Sequence, residues 1–172
     1  MIQHDTSIHL WAPEAQTKWY LITSIDDHSR DLLYADLWER ESSWAHIVAA
    51  KTLVTRFGCP LKYYVDNHSI FRFVERRDSV WQKAHAKEED AIIQWKEVLR
   101  DLDIEVIYAL SPAAKGKVER PYRWIQDHLV RTCVRDGITK IDQAREVLYA
   151  EIHQYALQAG SLNDRRNPLS AF

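Results

Sequence analysis

The stretch SPAAKGKVERPYRWIQ, residues 111–126, holds one carboxylate, Glu119, among Lys115, Lys117, Arg120 and Arg123. Pro112, Gly116 and Pro121 break the chain and restart it, and since proline is tolerated only in the first turn of a helix, a helix must begin close to Glu119. Val118, Tyr122, Ile125, Leu129 and Cys133, spaced by four, three, four and four, form its buried stripe. Glu119, Arg123 and Gln126 fall on an adjoining polar face. Mixed charge at a helix start is most often a set of surface ion pairs. The same charges also suit a metal ligand on a surface that receives phosphates, and the rest of the chain decides between the two.

Working back from that helix, IEVIYAL (104–110) reads as a strand, and Ile92, Trp95, Leu99 and Leu102 mark an amphipathic helix before it. LKYYVD (61–66) is a short strand with Asp66 at its C-terminal end. Ser42 or Ser43 caps a further helix, with Trp44, Ile47, Val48, Val54 and Phe57 on one side and Gly58 and Pro60 closing it. Ahead of it lie QHDTSIHLW (3–11), KWYLITSI (18–25) and LLYADLWE (32–39). They are separated by a turn at Pro13 and by the turn chemistry of DDHSRD (26–31), and they read as an antiparallel meander. In the first, Ile8 and Leu10 alternate with Ser7 and His9, so Asp5 projects from the opposite face. The second is apolar almost throughout, as a central strand requires. A last helix, about Ile141 to Gln158, carries Ala144, Val147, Leu148, Ile152 and Tyr155, and a polar tail with Arg165 and Arg166 follows. The order βββαβαβ followed by helices defines an α/β chain.

A length of 172 residues suits one domain with a real core. An apolar fraction of 46%, with 7 Trp and 8 Tyr against 4 Gly, excludes a disordered chain and implies an aromatic-rich interior. No stretch approaches a membrane span, and the polar start MIQHDTS lacks the order of a signal peptide, so the expectation is a soluble, intracellular protein. Cys59 and Cys133 lie far apart without a CxxC pair, which argues against a zinc knuckle or a disulfide framework and for inert thiols in or near the core. The net charge of −2 excludes bulk electrostatics as the sole means of holding nucleic acid.

Three acids stand out by position. Asp5 is in the first strand, Asp66 ends the fourth, and Glu119 opens a helix. A meander followed by parallel crossovers can set the first and fourth strands side by side, so Asp5 and Asp66 can meet at one sheet edge with Glu119 above them. Converging carboxylates repel one another without a cation, whereas Mg²⁺ takes a few such oxygens and keeps waters for substrate phosphate.

HDTS, YVDNHSIF and SPAAKGKVERPYRWIQ together resemble the three acidic motifs of the DDE transposase and retroviral integrase catalytic core, of the kind found in bacterial insertion sequences. The third is the most specific, and the similarity extends over nearly the whole chain. The resemblance implies an RNase H-like fold: a five-stranded mixed sheet, three strands antiparallel and two parallel, flanked by helices. It implies that Asp5, Asp66 and Glu119 are the catalytic metal ligands for two Mg²⁺ or Mn²⁺ ions. Lys115, Lys117, Arg120 and Arg123 then become DNA contacts. Transposon ends and target DNA are the implied partners, with assembly as a homodimer or higher homo-oligomer and no membrane contact. A bacterial, nucleoid-associated cytoplasmic location follows.

Two positions depart from the family pattern. His68 stands where the second motif usually has glycine, and the 52 residues between Asp66 and Glu119 exceed the retroviral spacing through an insertion in RFVERRDSVWQKAHAKEED (72–90). His4 and His68 flank the acids as neighbours without an assigned role. Because Asp5 follows so soon after Met1, the expectation is a single integrase-type core over residues 1–172, excised from a larger transposase with its DNA-recognition domains elsewhere. A catalytically silent assembly or regulatory domain, and a nuclease that hydrolyses without strand transfer, are the alternatives to polynucleotidyl transfer.

Overall fold

A computed structural model describes residues 1–66, 86–109 and 119–158, with side chains at all of these except 86–93 and 119–121. The chain runs β1 (Ile2–His9), a 3₁₀ turn (Pro13–Ala15), β2 (Trp19–Asp26), β3 (Leu32–Trp38), α1 (Ser43–Phe57), β4 (Lys62–Val65), α2 (Ala86–Asp101), β5 (Glu105–Tyr108), α3 (Glu119–Arg135) and α4 (Ile141–Gln158). The strands form one sheet in the order β3-β2-β1-β4-β5. β1, β2 and β3 pair antiparallel, while β4 pairs parallel with both β1 and β5. The expected βββαβαβ order and the mixed five-stranded sheet are both present.

Alternation along the strands divides the core into two layers. Leu21 and Ile25 of β2, with Ala35 and Leu37 of β3, pack under Ile125, Leu129 and Cys133 of α3 and Ala144, Leu148 and Ile152 of α4. On the opposite face Ile2, Tyr63 and Val65 meet Ala50 and Leu53 of α1 and Trp95 and Leu99 of α2. Ile22 and Tyr34 meet Ala45 and Ala49 beside them. The helix ends have local causes. Ser42 Oγ accepts from the Ala45 amide at 3.2 Å, which caps α1. Gly58, at φ +84°, turns the chain out of α1 while its amide donates to the Val54 carbonyl. After α3, Gly137 at φ +61° allows its own amide to reach Val134 O and that of Ile138 to reach Cys133 O, a Schellman closure. Among the described residues, no helix is long and apolar enough to cross a membrane.

Four sequence expectations need correction. The stripe proposed for α1 is not its buried face: Trp44 is 67% exposed and Phe57 38% exposed, while Ala45, His46, Ala49, Ala50 and Leu53 are buried. Small side chains let α1 lie close on the sheet, and an indole at that contact would hold it off. Ile8 is exposed near the end of β1, and its face of the strand is buried instead at Ile2 and His4. Leu102 is partly exposed because the chain leaves α2 there, reversing at Asp103 with φ +56°. Cys133 is buried as expected, but Cys59 is exposed beyond the end of α1.

Candidate active site

The parallel β1/β4 pair sets the strands that carry two of the three acids side by side. Ile2 aligns with Tyr63 and Gln3 with Tyr64, and Asp5 and Asp66 each lie two residues beyond the last of these pairs. Both carboxylates lie on one face. Tyr63 and Val65 point into the layer under α1 and α2, which leaves Tyr64 and Asp66 on the α3 side. Asp5 is the antiparallel partner of Thr23, and cross-strand partners share a face. Thr23 Oγ1 lies 2.7 Å from the Tyr122 hydroxyl of α3. Asp5 and Asp66 are each half-buried.

α3 crosses this face of the sheet. Tyr122 reaches Thr23, and Gln126 one turn later lies 3.4 Å from the His9 ring nitrogen of β1. The Tyr122 phenol is pushed well above its ordinary pKa, first by burial and then by the negative field of Asp5, with smaller contributions from Asp66 and Glu41. The two acids are therefore electrostatic neighbours of a side chain one helical turn from Glu119. Glu119 is the first residue of α3, as its sequence context predicts. Its side chain and that of Arg120 are outside the described set. Arg123 is exposed on α3. Lys115, Lys117, Asn67, His68, Trp81 and most of the 72–90 insertion lie outside the described residues, as do Pro112, Gly116, Val118 and the tail arginines Arg165 and Arg166.

Among the described residues, no group of three or more His, Cys, Asp or Glu side chains is arranged to hold a metal ion. The donor chemistry nevertheless fits a hard divalent cation. Two carboxylates on one sheet face offer the oxygen ligands that Mg²⁺ and Mn²⁺ take.

The residues around the acids include several that sequence patterns did not single out. His4 is fully buried on the opposite face of β1 from Asp5, with Nδ1 2.9 Å from Ser24 Oγ and Nε2 2.8 Å from His46 Nδ1. His46 Nε2 in turn lies 3.2 Å from the Glu41 carboxylate. His4 is thus held within the core, away from the face that carries the acids. One signal was available for His46, which shares the spacing of Ala49, Ala50 and Leu53 on the buried stripe of α1. Trp124, read as a residue of the core or a subunit contact, stacks on the His128 ring at 4.0 Å and lies 5.0 Å from the Tyr155 ring.

A mixed five-stranded sheet with this order and pairing, flanked by helices on both faces, is the RNase H-like fold. Comparison with known proteins gives the narrower kinship. The chain is 30% identical over 174 aligned residues, 99% of its length, to y4bF, a Sinorhizobium fredii protein named as a transposase. It is 27% identical over 94% of its length to the transposase for insertion sequence IS1202 of Streptococcus pneumoniae. It spans about a third of each relative, 36% and 33% respectively. No protein-family model matches. Among solved structures, the integrase catalytic core domain of HTLV-2 in complex with magnesium superposes with a TM-score of 0.60 at 18% identity, covering 86% of this chain and 82% of that one. The catalytic core domain of BIV integrase gives 0.56 at 15% identity, covering 88% and 79%. These similarities support a core of the DDE transposase and integrase type.

Proposed function

We propose that this chain is the catalytic core of a DDE transposase, which cleaves DNA at transposon ends and joins the freed 3′-hydroxyl to target DNA. The observation that carries this reading is that Asp5 and Asp66, from paired strands, both act on Tyr122 of α3, the helix that opens with Glu119. Similarity to two transposases along almost the whole chain supports it independently.

Asp5, Asp66 and Glu119 would hold the divalent ions, Mg²⁺ or Mn²⁺. When bound, such ions activate a water or hydroxyl and stabilise the leaving oxygen of an in-line phosphoryl displacement. The chain itself supplies position. Asp5 is held within a ladder that runs the length of β1, and Asp66 follows directly on β4. Lys115, Lys117, Arg120 and Arg123 contact the DNA backbone, which sets the strand's register without reading its sequence. At a net charge of −2, sequence-specific recognition belongs to parts of the transposase beyond residues 1–172, which form a single core domain. Two DNA ends need two active sites, so the core acts as a homodimer or larger assembly in the bacterial cytoplasm, at the nucleoid. The dimeric and trimeric forms named for the HTLV-2 core support self-association.

The test is incubation of the chain with a branched DNA resembling a strand-transfer product and Mn²⁺, beside Glu119→Gln at matched folding. Cleavage with rejoining by the native chain alone is the expected result. Cleavage without rejoining would make it a nuclease, and inactivity of both would leave a core that needs the other domains of its transposase or a silent domain. Equal reaction by both would remove Glu119 from the site.

A further inference from the structure

The Tyr122 hydroxyl has a place that the three-acid reading does not use. It lies on α3 three residues after Glu119, within the helix's first turn. It reaches through the core to Thr23 Oγ1 at 2.7 Å, and Thr23 is the direct cross-strand partner of Asp5. The contact spans 99 residues of sequence and ties the first turn of α3 to the sheet at the level of the acids. Further along α3, described contacts with the sheet are packing by Ile125 and Leu129 and the longer polar contact of Gln126 with His9. Apolar packing tolerates sliding and rotation. A short hydrogen bond between the half-buried Tyr122 and the buried Thr23 does not, because a displaced phenol leaves the Thr23 hydroxyl where water cannot easily replace its partner.

We propose that the Tyr122–Thr23 hydrogen bond is a positioning device, fixing the first turn of α3, and with it Glu119, against Asp5 and Asp66 so that the three carboxylates take divalent metal together. This rests on the metal-centre reading given above. Tyr122 is a positioning residue and touches neither metal nor DNA. The bond acts through geometry, so removing the phenol oxygen must weaken metal binding even though every acidic ligand remains.

The experiment measures Mn²⁺ affinity of the full chain by the electron paramagnetic resonance of free Mn²⁺. It compares native protein with Tyr122→Phe, Thr23→Val, Thr23→Ser, the Tyr122→Phe/Thr23→Val pair, and Asp5→Asn. Amide hydrogen exchange of residues 119–124 is followed in metal-free protein. Tyr122→Phe and Thr23→Val are each expected to weaken Mn²⁺ binding about three- to tenfold, the range of one lost buried hydrogen bond. They should also speed exchange in that turn. The double variant should be no weaker than either single one, because both remove the same bond, and Thr23→Ser, which keeps the hydroxyl, should bind as native. Native affinity and native exchange in Tyr122→Phe, with Asp5→Asn defective, would overturn the proposal alone. Equal Mn²⁺ binding by native protein and Asp5→Asn would overturn the metal-centre reading and this proposal with it.

Discussion

His4 Nε2 lies 2.8 Å from His46 Nδ1, where neither ring is exposed to water. The direction of the protons follows from the end of the chain. An ionised Glu41 carboxylate can only accept, so His46 Nε2 donates to it. The His4 ring joins His46 Nδ1 to the Ser24 hydroxyl. Trp95 stacks on the His4 ring at 6.0 Å and Tyr63 meets it edge-on at 5.6 Å, closing the relay off from solvent.

His46→Phe keeps the volume and removes the central link, with its hydrogen bonds to His4 and Glu41. A net contribution of about 0.5–1.5 kcal/mol for each hydrogen bond makes a loss of about 1–3 kcal/mol in unfolding free energy the expected result of urea denaturation. The double variant His4→Phe/His46→Phe should lose less than the sum of the singles, since it removes donor and acceptor together. Strictly additive losses would show that the two rings are not coupled.

Asp36 sits in the edge strand β3 and accepts from Arg145 Nε and the Tyr149 hydroxyl, each at 3.1 Å. Burial nevertheless pushes its carboxyl above the ordinary value of 3.8, outweighing Arg145 and the hydrogen bonds. The sign follows from proton counting. Between the unfolded value and the raised folded one, the native state holds more protons than the unfolded state, and stability falls as pH rises. The contribution is whole below about 3.8 and gone above the folded value. Asp36→Asn removes that titration. Thermal midpoints of native protein relative to the variant should therefore decline as pH rises from just below 4, then level off. A flat difference across that range would contradict the raised carboxyl.

The two thiols should behave oppositely. Cys133 lies under α4 in the main core, and burial, with help from Asp136 and Glu151, raises its thiol to about 11. Cys59 is exposed after α1. Since the thiolate is the reactive form, a disulfide reagent at pH 8 should label one cysteine quickly and the second only on unfolding. Cys59→Ser should abolish the fast phase.

How far the sequence could be read follows from what each residue contacts. Periodicities of 2 and 3.6 report which face is apolar, and that sufficed for the strand order, for α4 over Ile141–Gln158 and for the start of α3 at Glu119. The topology rule for parallel crossovers was enough to predict that β1 and β4 would be neighbours, the arrangement in which Asp5 and Asp66 can meet. On α1 the same method failed. Alanines carry a weak apolar signal and Trp44 a strong one, yet close approach to the sheet favours the smaller side chains. Polar pairings were not legible at all. Thr23 with Tyr122 and His4 with His46 join residues 99 and 42 apart, and no local pattern encodes a partner at that separation.

Asp5 and Asp66 both act on the Tyr122 phenol, and metal binding on their side of the sheet can be read through stability. Asp5→Asn preserves shape and removes one proposed ligand, and its thermal midpoint in EDTA is the reference from which its response to metal is measured. Native protein gains stability by mass action as metal binds the folded state alone, and at a hundredfold excess of Mn²⁺ over the dissociation constant the gain is about 2.7 kcal/mol, or about 2–4 °C for each kcal/mol. Asp5→Asn, short of one ligand, should gain little, and Asp66→Asn should do the same. Lys62→Ala serves as a control, since it removes the exposed Lys62–Glu105 ion pair at the other end of β4 and should gain as native protein does. Gains as large as the native one in both Asn variants would exclude a metal centre at these acids.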